Sequence, residues 1–362
     1  MTPGRSSRGP AGPEGNRELV SIVIPHYNGI DLLSECLRSL KNCTYAPVEI
    51  IVVDNASTDG SADWVRTHYP TVKLVVCEKN RGYAGGCNRG AEVARGTYLL
   101  FLNNDTVHQR DWIGWLVQTL QSDATIGAVQ PKILNYFDRR RFDFAGGSGG
   151  AMDLLCFPFA RGRLFLTLEE DRGQYDDEAQ IFWASGTAFL IRRSLFLSAG
   201  GFDELFFAHQ EEIDLQWRLQ LMGYQIFVNP RSVIYHRNAA TLSAASPRKK
   251  YLNHRNNLLM MLSNYSLPLA TYLFPIRLAL EGTAIFYAVF LRDFPHVWAI
   301  LKSFFWIVTH PVTIVRKRRS VRTIRKVRDR DVLAAVYRRS IVLDYFLFGR
   351  RFYSELPTRP AS

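Results

Sequence analysis

The residues able to do chemistry stand just beyond apolar runs. Pro25-His26-Tyr27-Asn28 follows one run, Asp54-Asn55-Ala56-Ser57-Thr58-Asp59-Gly60 the next, and Asn103-Asn104-Asp105 a later one. Farther on come the acidic cluster Glu211-Glu212-Ile213-Asp214 and a single His236 closing the stretch SVIYH. Carboxylates serve as general bases and as ligands for hard cations, and imidazole joins them around Mn2+. Each group alone has a plainer account. Asp, Ser and Thr after a strand cap the next helix, and acids in a first helical turn complement its dipole by about 0.3–1 kcal/mol each. Ser57 and Asp59 fit that role; Asp105 fits it less well, because the next helical pattern resumes only near Asp111. The turn Asn80-Arg81-Gly82-Tyr83-Ala84-Gly85-Gly86-Cys87-Asn88-Arg89-Gly90 adds backbone that can approach an anion. It has the wrong position and spacing for a dinucleotide fingerprint, and no P-loop occurs.

Residues that meet at one rim need a sheet to carry them. LVSIVIP, VEIIVVD, VKLVV and TYLLFLN are apolar runs separated by helical patterns. Leu32, Leu33, Cys36, Leu37 and Leu40 share one helical face, SADWVRTHY forms a second helix, and about 84–94 a third. The alternation predicts βαβ units and a parallel sheet covered on both faces, with ligands beyond the carboxyl ends of the strands. From about residue 131 the rhythm loosens into polar, Gly-rich stretches at 138–150 and 167–180. An apolar strand TAFLIRR, a helix opening at QEEIDLQWRLQLMG, and two short strands, YQIFV and SVIYH, follow. With 362 residues, 47% hydrophobic and 22% charged, the chain can bury a large core; collagen-like, wholly disordered and disulfide-scaffold classes are excluded. Five scattered cysteines without a CxxC pair read as buried thiols of a reducing compartment. Residues 1–18, rich in Pro, Gly, Ser and Arg and lacking an apolar h-region, read as a disordered leader, which predicts a cytoplasmic protein.

Taken in order, SIVIPHYN, EIIVVDNASTDGS, NRGYAGGCNRG, YLLFLNNDT, WASGTAFLIRR, GGFDELFFAHQEEIDLQWRLQLMGY and VIYHRNAAT resemble the inverting family 2 glycosyltransferases of the GT-A fold. The resemblance is closest to a bacterial rhamnosyltransferase-like branch. It implies an α/β fold with a mostly parallel central sheet flanked by helices, a catalytic domain over 19–262, and a divalent cation, Mn2+ or Mg2+. By motif, Asp54 would contact the nucleotide base, with Pro25, Tyr27 and Asn28 beside it. Asn80, Arg81 and Gly82 would close around the base, Asn88 would face the donor, and Asn104 would lie near the ribose. Asp105 would bind the metal, in an Asn-Asn-Asp motif where many members have Asp-X-Asp, and His236 would complete the site. Glu212 takes the position of the base, with Glu211 and Asp214 tuning it or holding the acceptor; many members there have Glu-Asp-X-Asp. Trp183, Ser185 and Gly186 would wall the donor sugar and acceptor, and Arg255 and Asn256 match a further segment without an assignable role. The implied reaction moves a sugar, rhamnose by resemblance alone, from a nucleotide-diphosphate sugar. The acceptor would be a hydroxyl of a glycan or of a polyprenyl-diphosphate-linked molecule, in cell-surface polysaccharide synthesis.

Two other readings compete. A sugar nucleotidyltransferase would carry a Gly-rich basic loop after the first strand, where this chain has HYNGIDLLSE. A non-catalytic membrane- or polyanion-binding protein would rely on residues 316–330 (RKRRSVRTIRKVRDR), which hold a local +8 of the net +12. No nucleic-acid-binding motif is present, and nothing in the sequence sets an oligomeric state. Just before the basic block, 265–276, 278–291 and 294–309 are aromatic-rich apolar runs. Each is too short, or too interrupted by Arg277, Glu281, Arg292, Asp293 and Lys302, to provide the roughly 20 apolar residues of a spanning helix. They predict a C-terminal amphipathic and basic helical region, 263–362, lying through 263–330 on an anionic membrane surface at the inner face of the cell membrane.

Overall fold

In the computed structural model, which describes residues 17–238 and 246–357, the apolar runs become strands and the amphipathic patterns helices. The leader expected over 1–18 lies outside the described residues except for Arg17 and Glu18. β1 (Val20–His26), α1 (Ile30–Leu40), β2 (Val48–Asp54), α2 (Ser61–His68), β3 (Lys73–Val76), α3 (Gly82–Val93) and β4 (Tyr98–Leu102) alternate, and their strands pair in parallel in the order β4-β1-β2-β3. Gly90 lets α3 lie directly on β1, since a Cβ there would collide with Val23.

After β4 the sheet turns mixed. β5 (Thr106–His108), α4 (Trp112–Ser122) and β6 (Ile126–Asn135) precede a small four-stranded sheet of β7 (Gly150–Met152), β8 (Pro158–Ala160), β9 (Arg163–Leu164) and β10 (Thr167–Leu168). β11 (Ala179–Ile181), β12 (Ala188–Arg192), α5 (Arg193–Ser198), α6 (Glu211–Leu221) and β13 (Gln225–His236) complete the catalytic half. The nine-stranded order is β11-β13-β6-β12-β4-β1-β2-β3, with β5 on β13. β1, β2, β3, β4, β6 and β13 run one way and β5, β11 and β12 the other. The two short strands expected at 224–228 and 232–236 are one strand; its register shifts between Asn229 and Val233, around Pro230, which has no N–H to give the ladder. Asp105 is not in an open loop either. Thr106–His108 pairs with β13, and that register sets His236 opposite Thr106.

One face of the sheet packs on α1, α2 and α4, the other on α3, α5 and α6. The C-terminal helices are α7 (Pro247–Asn264), α8 (Leu267–Phe290), α9 (Phe294–Thr309), α10 (Pro311–Ile324), α11 (Asp329–Val332) and α12 (Ile341–Phe346). Trp217 and Leu221 of α6 share one buried cluster with Leu258–Met261 of α7, Leu273, Ile307, Val321 and Val332, so the core runs straight across the boundary expected at 262. The apolar runs 265–276 and 278–291, read as too interrupted, fuse into α8, which is long and apolar enough to cross a membrane. The two charges inside α8 face inward, while Arg292 and Lys302 are exposed. Arg277 donates to the Leu155 carbonyl (2.7 Å), pairs with Glu281 (2.5 Å) and lies over the Phe157 ring.

The basic block is likewise only partly outward. Lys317 is buried and bridges Asp203 (2.6 Å) and Asp214 (3.0 Å), Arg318 caps the Leu262 carbonyl, and Arg325 binds the Asn264 carbonyl and Asp329. Arg316, Arg319 and Arg322 remain exposed.

Candidate active site

Two clusters stand at the same edge of the sheet. The first sits where β4, β5 and β13 meet. His236 Nε2 lies 3.1 Å from Asp105 Oδ1, and its Nδ1 lies 2.9 Å from Asp143 Oδ1, all three side chains being buried. Burial opposes charge on the ring, but Asp105 and Asp143 on its two sides outweigh that and hold its pKa up at about 10. Asp143 also accepts from Asn238 (2.6 Å) and from the Ala145 amide (2.8 Å), which fixes it and hence the ring.

This arrangement suits a divalent cation. Neighbouring ligands about 2.1 Å from an octahedral ion are about 3.0 Å apart, close to the Asp105–His236 separation. Asp143 would hold the imidazole from behind, as outer-shell carboxylates do. Among the described residues no group of three or more metal-ligating side chains is arranged to hold an ion. Asp105 and His236 would therefore be its protein ligands, with the remaining positions open to ligand oxygens and water.

The nucleotide-side residues surround β1 and β2, and most are busy. Buried His26 links Asn104 (2.7 Å to Nδ1) and Ser61 (2.8 Å to Nε2), and Ser61 donates to Asp59. Burial depresses its pKa, so the ring is a neutral relay, with Asn104 donating and Ser61 accepting. Asn28 staples its loop to Thr58 and Ser57, and Asp54 accepts from the Ser57 amide (2.7 Å). Asp59 accepts from Gly29 and Ser61, the plain turn role expected of it. Pro25 lies against Gly86 of α3, and Tyr27 stands half-exposed on the rim.

Across the rim, Asn80 accepts from the Gly82 amide, and Asn55 clamps both Arg81 N (2.9 Å) and Gly82 O (2.8 Å). Gly82 is obligatory: its φ is +71°, and a Cβ would run into the Phe207 carbonyl. Arg81 reaches Glu204 (2.9 Å). Asn88 does not present its amide to a donor. Both of its polar atoms bind the Phe202 backbone, at 2.8 and 2.9 Å, and so tie the segment leading to α6 onto α3.

The second cluster is the start of α6. Phe207, His209 and Gln210 all have positive φ, a strained run directly before Glu211 and Glu212. Arg255 holds the Leu205 and Phe206 carbonyls, and Asn256 those of Phe206, Ala208 and His209, which gives these two residues their role. Burial raises the Glu212 pKa to about 6 against the pull of backbone amides, including that of Gly186. Burial and the Glu212 charge raise Glu211 further. Each glutamate keeps a buried Oε2 without a hydrogen-bond partner.

Asp214, grouped with them by sequence, is different. It is fully buried and bound to Arg218 (3.0 Å), Lys317 (3.0 Å) and Asn264 (3.0 Å). Burial opposes its ionisation, yet Lys317 and Arg218 hold its carboxyl below the usual range. It has no oxygen to offer a substrate and joins α6 to α7 and α10.

The segment 183–186 links the clusters. Asn103 N donates to Thr187 O (2.9 Å), while Gly186 faces both Glu212 and the Tyr83 hydroxyl. Ser185 Oγ binds Ala145 O, two residues from Asp143. Asp105 and Glu212 are thus separated by a short run of bonded backbone on one edge. Trp183 is no sugar platform: it is buried against Gly150 with Nε1 on Ala151 O (2.8 Å). Gln216 and Gln130, which sequence reasoning missed along with Asp143, grip the Ala184 and Ser185 backbone.

The description "Glycosyl transferase family 2" matches residues 21–198, which include Asp54 and Asp105. Residues 21–198 form a glycosyltransferase family 2 domain. An N-acetylglucosaminyl-diphospho-decaprenol L-rhamnosyltransferase of Mycobacterium tuberculosis is 25% identical over 282 residues, 74% of this chain and 90% of that one. Glycosyltransferase GlyG of Streptococcus pneumoniae is 26% identical over 236 residues, 62% of this chain and 73% of that one. The solved structure of GalNAc-T7 with UDP, GalNAc and Mn2+ shares the glycosyltransferase fold at a TM-score of 0.58 and 18% identity, over 82% of this chain and 58% of that one. The chain is therefore a glycosyltransferase with the GT-A fold, of the rhamnosyltransferase-like branch.

Proposed function

We propose that this glycosyltransferase inverts the anomeric centre of a nucleoside-diphosphate sugar, transferring the sugar to a hydroxyl of a lipid-linked acceptor at the membrane surface. The observation that carries the reading is the pairing of two unlike sites on one sheet edge. Asp105 and His236 are disposed to take a cation, and Glu212 is a partly exposed carboxylate of raised pKa with no cation in ion-pair distance among the described residues. A bound Mn2+ or Mg2+ would supply positive charge to the diphosphate as it departs.

Asp143 keeps the His236 ring turned toward that position, and Asn55, Asn80 and Gly82 shape the turn above the nucleotide. Glu212 takes the proton from the acceptor hydroxyl as it attacks, opposite the leaving group; a pKa near 6 leaves it ionised at neutral pH and still basic enough to act. Burial and then the charge on Glu212 raise the proton affinity of Glu211, deeper in the wall, and favour its neutral form. Rhamnose as the sugar and a polyprenyl-diphosphate-linked acceptor rest on the mycobacterial relative.

Calorimetry with UDP, GDP and dTDP tests the donor site. Binding of one nucleotide should strengthen with Mn2+, and Asp105→Ala should abolish that gain and cut transfer at least ~10^3-fold. Mn2+-independent binding unaffected by the substitution would refute the reading.

The exposed apolar side chains Phe286, Phe290, Phe294, Trp298 and Phe305 on α8 and α9 support peripheral attachment to the inner leaflet. Neutralising Arg316, Arg319 and Arg322 to Gln should weaken binding to anionic vesicles about 100-fold, at about 1 kcal/mol per charge. Equal flotation by wild type and variant would remove the electrostatic part.

A further inference from the structure

A groove of about 440 Å3 opens beside the candidate active site, and neither the donor nor the cation accounts for it. Its walls are Phe144, Phe165 and Leu166 from the small-sheet side, Tyr287 from α8, and Tyr345 and Phe346 from α12. Leu166 is 84% exposed and Phe346 57%, which is costly for side chains that serve no ligand or partner. The aromatic walls brace one another: Phe165 packs on Tyr345 and Phe346, and Phe346 on Tyr287.

Two guanidinium groups line the same groove. Arg163 stacks over Phe144, Arg351 over Tyr345, and neither has an acid within ion-pair distance among the described residues. Arg163 keeps a buried Nε without a partner. Lys249 stands near enough to Arg163 for the two charges to repel, and near His209 of the α6 approach. At the inner end Phe144 directly follows Asp143, the residue that orients His236. At the outer end Tyr287 adjoins Phe286 and Phe290, exposed on the apolar face of α8. Apolar walls with two guanidinium groups that lack an ion-pair partner among the described residues match a molecule of the opposite make-up, a long hydrocarbon chain with a phosphate head.

We infer that this groove is the acceptor lipid site. The phosphate or diphosphate of a long-chain lipid lies against Arg163 and Arg351, and its chain runs past Leu166 and Phe346 toward the apolar face of α8. The inference rests on the transferase reading and adds the place and chemistry of the acceptor. The head group enters beside Asp143, so the sugar it carries extends toward Glu212, while the chain leaves at the surface that faces lipid.

Titration of the full chain with farnesyl diphosphate, farnesol and inorganic pyrophosphate tests it. The wild type should bind farnesyl diphosphate at least ~10-fold more tightly than either fragment, since each half of the groove contributes. Leu166→Asp and Phe346→Asp, both at exposed positions that leave the core intact, should each weaken farnesyl diphosphate about 10-fold or more and leave pyrophosphate unchanged. Arg351→Gln should weaken both phosphorylated probes.

Unchanged farnesyl diphosphate affinity in the Asp variants overturns the inference. Loss of neutral-vesicle binding with the soluble probe still bound also overturns it, by making the patch a membrane contact. Titration with nucleoside diphosphate and Mn2+ on the same samples separates the two readings. Groove variants that keep nucleotide binding and lose the prenyl probe support the acceptor site. A wild type that binds the prenyl probe but no nucleotide would count against the transferase reading and not against the groove.

Discussion

The two faces of α6 carry the same residue type in opposite circumstances. On the open face Glu211 and Glu212 have raised pKa values and unsatisfied oxygens. Within one helical turn, on the closed face, Asp214 is held by Arg218, Lys317 and Asn264 and its carboxyl is depressed. Three acids in a four-residue run therefore divide into a pair short of partners and a tie-rod. What separates them is the neighbouring element: the open face looks onto Gly186 and Tyr83, which bring no cation, while the closed face meets α10 and its lysine. An acid left short of partners can take a proton from substrate; one fully paired cannot.

The largest break in that comparison comes from Glu212→Gln. It should lower kcat about 10^3-fold, within the range for loss of a general base, and leave nucleotide affinity unchanged. The pH profile gives an independent check. In the proposed role Glu212 works as the carboxylate, so with a pKa of about 6 the wild-type rate should fall about tenfold per unit as pH drops below 6 and level off above it. The variant should lose that acid limb. A surviving limb in Glu212→Gln would move the base to Glu211.

Lys317→Met probes the closed face. It removes the cation shared by Asp203 and Asp214 and leaves a buried carboxylate short of one partner, at a cost of about 3–5 kcal/mol in stability. The urea midpoint should drop accordingly, and binding to anionic vesicles should not change. If Lys317 instead served the membrane, vesicle binding would fall and the midpoint would hold.

These two substitutions also mark where sequence was informative. β1 to β4 were legible because continuous apolar runs and amphipathic helices are local patterns, and the polar residues next to them had to lie on one rim. Asp105, His236 and Glu212 were singled out that way as candidates, with the help of family motifs. Lys317 was not, because a basic run on an amphipathic helix looks alike whether it faces solvent, lipid or a buried acid. Trp183 failed for a similar reason: its indole fits a sugar wall or a core equally well until Gly150 is seen beneath it. Asp143, Asn55, Gln130 and Gln216 act on segments 26 to 93 residues away, through contacts that no local spacing records. The one faint signal was an acid inside the Gly-rich stretch 138–150.

Asp143→Asn sharpens the comparison most finely, because it changes neither proposed metal ligand. In the native arrangement the carboxylate receives the His236 Nδ1 proton and leaves Nε2 directed at Asp105. An amide in its place can still accept at one oxygen, but it brings no negative charge to make the imidazole a better donor. Its nitrogen is a donor and cannot accept from Asn238 and the Ala145 amide as the carboxylate oxygens do. Loss of such an outer partner costs about 10–100-fold in metal affinity. Mn2+ binding by calorimetry should weaken by that factor, the pH limb set by Glu212 should stay near 6, and saturating Mn2+ should restore most of the rate. Unchanged Mn2+ affinity would make Asp143 a loop anchor only, and His236 a buried histidine paired with acids on both sides.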